Sequence, residues 1–265
     1  MTSAAPEPLV PVGPTLAVVV AVLLLVAALV VALGRLAPDG GRGTGRDVLL
    51  AGGRAALQLA AVSVVITAVV GSLPYLLAFL ALMLLVAVRT AGRRVTDNAT
   101  WWWAGLPICC GVLPVVGLLL LSGLVPPRGI ALVPVVGILL GGSLTATVLA
   151  GRRVLDELHR RHGEVEAGLA LGLTLREARM EVGRPVASEA LLPGLDQTRT
   201  VGLVTLPGAF VGMLLAGASV VAAGAVQLFV LVALLAVQAV SVVVVLELLV
   251  RGVLHRDGAP AGPAR

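Results

Sequence analysis

The chain has 265 residues, of which 58% are hydrophobic and 12% are charged, and its mean hydropathy is +1.07. Soluble domains carry about 45–50% apolar and about 25% charged residues, so this composition excludes a soluble globular protein and predicts an all-α, polytopic membrane protein. The net charge of +5 comes from arginines between apolar runs, which indicates membrane orientation rather than nucleic-acid binding.

The basic residues are informative because all 19 of them are arginine. A Walker A loop needs a lysine that reaches the nucleotide phosphates, so this sequence carries no such loop. We therefore expect the chain to bind no cofactor of its own, with any ATP hydrolysed by a partner subunit. No serine–histidine pair or paired carboxylates fall within one apolar run, so the chain is not predicted to be an enzyme.

Seven apolar runs predict about seven transmembrane helices, since a span needs about 20 apolar residues. They cover approximately residues 14–33, 55–73, 75–88, 104–121, 130–150, 200–221 and 225–250. The permease domain is predicted over residues 14–251. The proline-rich residues 1–13 and the cytoplasmic tail over 252–265 are predicted to be disordered. The first run lacks a preceding basic region and is predicted to be a retained helix rather than a signal peptide.

The arginine distribution predicts the orientation of the spans, because arginine-rich loops stay in the cytoplasm. Alternate loops hold four, three and eight arginines, and three more lie in the tail, whereas the opposite side holds only Arg128. Seven spans with an outside N-terminus and a cytoplasmic C-terminus satisfy this bias. The Arg/Ala/Val-rich composition is typical of a high-GC bacterium, which predicts a multi-pass protein of the bacterial inner membrane.

Residues 151–199 form the largest cytoplasmic segment. Its basic start predicts a helix that extends the fifth span inward, followed by two short amphipathic pieces hinged at Gly172 and a second break near Gly183 and Pro185. Leucines at alternate positions over residues 169–175 are too apolar to leave in water. We expect them to contact the bilayer surface, other helices or another protein.

The predicted sixth span is interrupted by Gly202, Pro207, Gly208 and Gly212. Membrane helices tolerate such residues where neighbouring helices or water satisfy the freed backbone groups. Two interpretations remain open. The Gly208-x-x-x-Gly212 spacing is typical of close helix packing, and the adjacent polar sequence favours a mobile element of a translocation path.

Charged residues at the ends of the last two spans are candidates for transport. Glu247 lies four residues before Arg251, which favours a helix ion pair over a proton or cation site. Asp196 and Arg199 lie three residues apart at the start of the sixth span. A surface ion pair is one interpretation of this spacing, and a gating or coupling contact is the one we favour.

Neutral polar residues and histidines give weaker signals. Gln58, Gln227 and Gln238 are neutral and can hydrogen-bond between helices. His159 and His162 have a spacing that could hold a metal ion, but a solvated basic helix explains them better. The two adjacent cysteines lie in an apolar run and are interpreted as packing residues. No metal site is therefore predicted.

Several motifs resemble those of a known family. They are Glu166-x-x-Leu169-x-Leu171-Gly172, Ala190-Leu-Leu-Pro193-x-x-Asp196, Thr200-Val-Gly-Leu-Val-x-Leu-Pro-Gly208, Gly212 and Gln227, with Gly53-Arg-Ala-x-x-Gln58-Leu and Pro134-x-x-Gly137-x-x-x-Gly141 upstream. In these residues, from about Gly53 to Val250, the chain resembles the FetB-type permeases. Those proteins are membrane subunits of a bacterial iron-export ABC transporter and are similar to plant aluminium-tolerance membrane proteins.

The resemblance implies a permease that forms a homodimer in the lipid bilayer and binds a cytoplasmic P-loop ATPase through its largest inner loop. It assigns ATPase coupling to Glu166, Leu169, Leu171 and Gly172. Together with the polar and interrupted stretches described above, it gives a larger set of candidate translocation and gating residues. These are Gln58, Asp196, Arg199, Thr200, Gly202, Pro207, Gly208, Gly212, Gln227 and Glu247.

The chain departs from the family pattern at a few positions. The family tends to have asparagine at Gly142, methionines at Ala209 and Phe210, and an arginine at Ser188. Losing amide and thioether ligands weakens the transfer of iron as cargo. We predict an ABC permease that exports iron or another metal ion. A gradient-driven carrier that uses Glu247 and the glutamines, and a non-transporting membrane scaffold, are the alternatives.

Overall fold

The computed structural model describes residues 13–34, 44–125 and 129–257. Within these ranges the chain is almost entirely helical, and an isolated bridge between Val201 and Thr205 is the only extended pairing. The helices are α1 (Pro14–Leu33), α2 (Thr44–Gly71), α3 (Leu73–Val95), α4 (Gly105–Leu121), α5 (Gly129–Arg160), α6 (His162–Ala170), α7 (Leu175–Ser188), α8 (Leu192–Thr200), α9 (Gly208–Leu215) and α10 (Val220–Val250). Short 3-10 helices precede α4 (Ala99–Ala104) and α8 (Glu189–Leu191).

Six helical stretches among the described residues are long and apolar enough to cross a membrane, which confirms the all-α, polytopic architecture. They are Pro14–Leu33, Gly45–Ile66, Leu73–Val95, Ala99–Leu121, Ala131–Arg160 and Val220–Val250. The prediction of one continuous helix over residues 200–221 is wrong. Gly202 has a φ of +82°, which an α-helix cannot include, and Pro207 then precedes a helix of only eight residues that ends before Gly217, whose φ is +87°.

The interrupted segment, defined here as residues 192–215 and comprising α8, a loop and α9, runs along α10 in the opposite direction. Gly194 of α8 contacts Gln238 in the second half of α10, and Phe210 of α9 shares a cavity with Gln227 near its start. The chain therefore follows much of α10 as a broken element instead of a regular helix. The seven-pass arrangement with an outside N-terminus stays a prediction.

The chain divides into two compact units, Met1–Ala68 and Val69–Arg265. In the first unit, α1 packs closely on α2 through small residues. A Cβ atom added at Gly45 would lie 2.9 Å from the carbonyl oxygen of Ala28, and one added at Gly52 would lie 2.6 Å from Leu24 Cδ1. Small residues of this kind allow membrane helices to approach each other closely.

The second unit has a core in which α5 and α10 pack together with α3 and α4. Ile108, Leu139, Val237 and Val245 are almost fully buried there. At the rise of 1.5 Å per residue, α5 and α10 are each about 45 Å long, longer than the roughly 30 Å hydrocarbon core of a bilayer. The polar C-terminal part of α5 therefore extends beyond the bilayer, as the sequence predicts.

The segment between α5 and α8, which is predicted to be cytoplasmic, contains a helical hairpin, defined here as α6, α7 and the turn between them. The predicted hinge at Gly172 is confirmed, because this residue has a φ of +94° in that turn. The predicted break near Gly183 and Pro185 is wrong, since α7 continues to Ser188. A Cβ at Gly183 would lie 3.2 Å from both Leu246 and Val154, so close tertiary packing holds this stretch helical despite its low local propensity.

The C-terminal tail differs from the prediction of disorder from residue 252 onward. Leu254 is fully buried, and the carbonyl oxygen of His255 accepts hydrogen bonds from Thr96 Oγ1 (2.7 Å) and Asn98 Nδ2 (2.9 Å). These hydrogen bonds satisfy polar groups of both segments and hold residues 252–257 against the end of α3. Composition alone does not predict such contacts between distant residues. The disorder predicted for residues 1–12 and 258–265 lies outside the described residues.

Candidate functional site

One face of α10 carries two glutamines that lie against the interrupted segment. Gln227 and Gln238 are eleven residues apart, close to three full helical turns, so they share a face of the helix. Both are buried, with exposed fractions of 5% and 8%. The Oε1 atom of each has no hydrogen-bond partner among the described residues. Buried polar atoms are normally paired, so these two mark places where the helix meets something besides its own chain or must rearrange.

A cavity of about 190 Å³ lies beside Gln227, between α10 and the interrupted segment. Its wall consists of Val201, Gly202, Leu206, Pro207, Phe210, Gly224, Gln227, Leu228 and Leu231. The loop supplies part of this wall because the chain is not helical there, and Pro207 and Phe210 bracket the first turn of α9. The candidate residues Gly202, Pro207 and Gln227 are therefore brought together at one site.

Gln238 lies where α8 rests on α10. A Cβ atom at Gly194 would overlap the amide of Gln238, and one at Gly142 would overlap Leu234 and lie 3.4 Å from Gln238 Nε2. The two glycines thus give the glutamine its room between α5, α8 and α10. An asparagine at Gly142 would require the side chain of Leu234 to move, because a Cβ atom there would lie 2.2 Å from Leu234 Cδ1.

Further buried hydroxyls line the same region of α5 and α10. The hydroxyl groups of Ser143 and Ser241 are 2.7 Å apart, and Ser241 also donates to the carbonyl oxygen of Val237 at 2.8 Å. Thr147 Oγ1 is buried and has no hydrogen-bond partner within the described part of the chain. The sequence analysis does not predict this group of buried hydroxyls, because single serines and threonines are common in membrane helices and give no distinct signal.

Glu247 joins α10 to the helical hairpin. Its carboxylate accepts two hydrogen bonds from Arg176 of α7, at 2.7 and 2.8 Å, and a third from Arg251 at 2.5 Å. The predicted helix pair with Arg251 is confirmed. The contact with Arg176 was missed, since the two residues lie 71 positions apart and only tertiary structure brings them together.

The turn of the helical hairpin presents its apolar side to the outside. Leu171 is 86% exposed, Leu169 is half-buried, and the intervening backbone turns at Gly172. Thr174 and Glu177 form a capping box at the start of α7, in which the Glu177 carboxylate accepts from Thr174 N at 2.8 Å. This backbone hydrogen bond, and a second one from the Thr174 hydroxyl, lower the pKa of Glu177. The turn is therefore held rigidly although its leucine is exposed.

Ion pairs also order the junction between α5 and α6. Arg161 pairs with Glu164, which raises the pKa of Arg161 and lowers that of Glu164 through the hydrogen bond that they share. His162 Nδ1 lies 3.4 Å from Glu166 Oε1, so the candidate coupling residue Glu166 contacts its own helix. The described residues contain no group of three or more histidine, cysteine, aspartate or glutamate side chains placed to hold a metal ion.

The remaining candidates do not join the cavity. Gln58 lies on α2 in the first unit with its side chain exposed. Asp196 and Arg199 are both exposed and lie 3.5 Å apart, the geometry of a surface ion pair on α8. Thr200 donates its hydroxyl hydrogen to the carbonyl oxygen of Asp196 at 2.8 Å. The helix α8 ends at Thr200 because the backbone of Val201 is not helical, with a ψ of 134°.

Gly208 and Gly212 lie on α9 without close neighbours. A Cβ atom added at either position would have no atom of the described residues within 4 Å. One interpretation of their spacing is close helix packing. Within the described residues, no helix packs closely against these two glycines. The face that carries them is open on this side of α9.

Comparisons with known proteins agree with this architecture. Residues 16–254 match the sequence model of a family described as an uncharacterised protein family, UPF0014. The chain is 32% identical over 209 residues to UPF0014 membrane protein slr1647 of Synechocystis, covering 75% of this chain and 80% of that protein. It is 28% identical to the protein named "Probable iron export permease protein FetB" of Escherichia coli, covering 75% and 78% of the two chains.

A plant relative matches over a shorter stretch. The chain is 35% identical over 150 residues to Protein ALUMINUM SENSITIVE 3 of Arabidopsis thaliana, which covers 56% of this chain and 55% of that protein. No solved structure gives a significant match. The family match spans nearly all described helices, from α1 to the end of α10. The chain therefore belongs to the UPF0014 family of multi-pass membrane proteins.

Proposed function

We propose that the chain is the membrane-spanning permease subunit of an ABC transporter that exports iron or another metal ion, with ATP hydrolysed by a separate subunit. The observation that carries the proposal is the exposed leucine turn of the helical hairpin, which is rigidly tied to the longest core helices. Iron as cargo rests on the name of the Escherichia coli relative. The absence of lysine from the sequence agrees with an ATPase supplied in trans.

The hairpin has the properties of a docking element. Leu171 at its turn is 86% exposed, and the turn belongs to the polar part of the chain that follows α5. An exposed apolar side chain on a rigid protruding turn is suited to insert into a cleft of a cytoplasmic protein. Leu169, Gly172 and Glu166 shape and orient this turn.

The hairpin is also connected to the transmembrane region. The ion pair between Arg176 and Glu247 and the close packing at Gly183 join α7 to α10, which carries the glutamine face. A rigid-body movement of the hairpin would therefore move α7 and α10 together. This connection offers a path from nucleotide hydrolysis to the interrupted segment and its cavity.

The proposal includes a homodimer in the bacterial inner membrane. The open face of α9 around Gly208 and Gly212 has the small-residue spacing that membrane helices use for close contact, which supports this region as part of the pairing surface. The gradient-driven carrier has less support, because Glu247, its proposed charged site, is fully engaged by two arginines. A scaffold and a permease differ in whether cargo stimulates ATP hydrolysis by the complex, which can be measured directly.

The experiment is affinity purification of the whole tagged chain from its native membranes in mild detergent. We expect a P-loop ATPase to co-purify with the parent and with Leu171→Met, which keeps the apolar side chain. Leu171→Glu should lose the ATPase while its thermal unfolding stays close to that of the parent, because the side chain makes few contacts within the chain.

Three outcomes would contradict the proposal. The parent could emerge without an ATPase, or the ATPase could bind Leu171→Glu as strongly as it binds the parent. If the complex forms but purified complex in vesicles shows no cargo-stimulated ATP hydrolysis with metal salts or with organic solutes, the scaffold interpretation replaces the permease.

A further inference from the structure

The C-terminal end of α3 brings two arginines onto one tryptophan ring. The Cζ atoms of Arg89 and Arg93 lie 5.9 Å and 5.4 Å from the centre of the Trp101 ring, which is the geometry of a cation–π contact. The two arginines are four residues apart, so they are neighbours on one face of the helix. Both are exposed. The ring therefore holds two positive charges side by side at the protein surface.

The position of the Trp101 ring is fixed by the backbone that carries it. A Cβ atom added at Gly92 would overlap the carbonyl oxygen of Trp101, so the glycine lets the 3-10 helix Ala99–Ala104 lie directly against α3. Asn98 caps this 3-10 helix, because its Oδ1 atom accepts a hydrogen bond from Thr100 N at 2.9 Å. The ring and the two guanidinium groups are thus in place before any ligand binds.

Neither guanidinium group is neutralised by a carboxylate of the described residues. Arg93 Nη1 donates to the backbone carbonyl oxygen of Asp97 at 2.9 Å, and no described aspartate or glutamate side chain forms an ion pair with Arg89 or Arg93. By contrast, Arg153 of α5 and Arg176 of α7 each pair with a glutamate. Like charges one helical turn apart repel each other, and a phosphate accepts two hydrogen bonds from one guanidinium group. A phosphate between the two arginines would therefore complement the site.

The surface of α3 next to these arginines is apolar. Leu82, Leu85 and Val86 are each more than half exposed and lie seven, four and three residues before Arg89, on the same face of the helix. Since α3 is long and apolar enough to cross a membrane, this face contacts lipid tails. Arg89 follows Leu85 by one turn, about 6 Å along the axis, and the exposed Trp102 is typical of the headgroup level. A ligand that contacts the whole face is an amphiphile with an anionic head.

We propose that this face of α3 binds an anionic phospholipid. Its phosphate accepts hydrogen bonds from Arg89 and Arg93, and its acyl chains lie along the three apolar side chains. Trp101 is a positioning residue that holds the two guanidinium groups together. In a zwitterionic phospholipid the phosphate already lies beside a cation of its own headgroup, so it gains less from the arginines. This inference does not depend on the proposed permease function.

The test uses the fluorescence of the whole chain, because its three tryptophans all lie at residues 101–103. The purified chain is reconstituted into vesicles of equal parts phosphatidylglycerol and phosphatidylcholine, at about 0.15 M salt to screen distant charges. One lipid or the other carries bromine atoms near the headgroup end of its acyl chains, where they quench nearby tryptophans. We expect the site to prefer phosphatidylglycerol about tenfold, since each arginine beside an anionic headgroup contributes up to about fivefold. Brominated phosphatidylglycerol should therefore quench more strongly than brominated phosphatidylcholine.

Four variants locate the preference. Arg93→Gln should lower it about fivefold, and Arg89→Gln combined with Arg93→Gln should abolish it. Arg94→Gln is the matched control, because it removes the same charge from an exposed neighbour that lies outside the contact with Trp101, and it should bind as the parent does. Trp101→Leu should lower the preference, whereas Trp101→Phe should retain most of it because it keeps an aromatic ring. Unchanged emission maxima of the remaining tryptophans show that they stay at the interface.

Three results would overturn the proposal. Equal quenching of the parent by the two brominated lipids would show that no anionic lipid is selected. An equal loss of preference in Arg94→Gln and Arg93→Gln would indicate a general attraction of positive charge for the membrane instead of a site. Relief of the quenching by millimolar glycerol 3-phosphate would show that the arginines bind a soluble phosphate, whereas the proposed lipid site leaves the quenching unchanged.

Discussion

The two ends of α10 are built differently. At its C-terminal end, Glu247 is held by two arginines, and Gly183 of α7 lies against Leu246 with no spare room. At its N-terminal end, α10 faces a cavity, and a Cβ at Gly224 would meet no described atom within 4 Å. One helix is thus tightly packed near the helical hairpin and loosely packed near the interrupted segment.

This difference indicates how the helix could serve a transporter. A tightly packed, ion-paired end can follow a neighbouring element as one rigid body. A loosely packed end, opposite a loop without helical hydrogen bonds, can change its contacts at a low energetic cost. Under the proposed permease function, coupling to the ATPase would occur at the C-terminal end of α10 and contact with the cargo at its N-terminal end.

The largest expected effect is on protein stability. It is measured by making the same glycine-to-alanine substitution at a closely packed position and at an open one. A Cβ at Gly111 of α4 would lie 2.9 Å from the carbonyl oxygen of Val237 and 2.7 Å from Ser241 Oγ, so Gly111→Ala must push α4 away from α10. We expect it to destabilise the protein by about 2 kcal/mol. Gly224→Ala should instead be neutral or stabilise by up to about 1 kcal/mol, because alanine favours the helix.

Thermal unfolding in detergent, followed by tryptophan fluorescence, measures both variants. Equal unfolding temperatures for Gly111→Ala and Gly224→Ala would show that α10 is packed alike around Val237 and Ser241 and around Gly224. The proposal that the two ends of α10 have different roles would then lose its support.

An intermediate effect is expected for the ion pair at the tight end. Arg176→Gln and Glu247→Gln should each lower cargo-stimulated ATP hydrolysis of the assembled complex about fivefold, the lower end of typical coupling between sites. The double variant should be no worse than either single one if the residues act through each other. Arg153→Gln, which breaks a pair with Glu189 outside α10, is the matched control and should retain activity.

Hydrogen exchange gives an independent measure of the same contact. Amides in the first turns of α7 should exchange faster in Glu247→Gln than in the parent, because α7 loses its ion pair with α10 and keeps only the packing around Gly183. Unchanged exchange together with unchanged ATP hydrolysis would mean that the ion pair does not couple the hairpin to the membrane region.

The sequence predicts regular elements well where one physical rule dominates. Long apolar runs require helices in a bilayer, so most spans are confirmed, and the hinge at Gly172 follows from a residue that tolerates positive φ. The prediction of a continuous sixth span is wrong because this stretch depends on its surroundings as well as on its own residues. Gly202 and Pro207 were recognised as interruptions, but how far they break the helix depends on the room that α10 leaves beside them.

The candidate site was predicted only in its parts. Gln227 is a candidate because it is a polar side chain in an apolar run and also matches a position of the family that the sequence resembles. Gly202 and Pro207 are candidates because they interrupt a helix and lie in a motif of the same family. Their convergence on one cavity, and the contact of Arg176 with Glu247, join residues far apart in the chain. Such contacts arise from tertiary packing, which hydropathy and local spacing do not encode.

The smallest expected effect concerns pH and the turn of the helical hairpin. The pKa of Glu177 is lowered, chiefly by the backbone N–H of Thr174, so its ionised form is favoured in the folded hairpin. The associated stabilisation is present above the unfolded pKa of about 4.3 and is lost as the pH falls through the lower folded value. Glu177→Gln removes this dependence, so the stability difference between parent and variant should stay constant from about pH 7 to pH 5 and shrink below about pH 4. Hydrogen exchange of the first amides of α7 measures it locally, and a difference that grows on acidification would show that the carboxylate does not cap α7 in its ionised form.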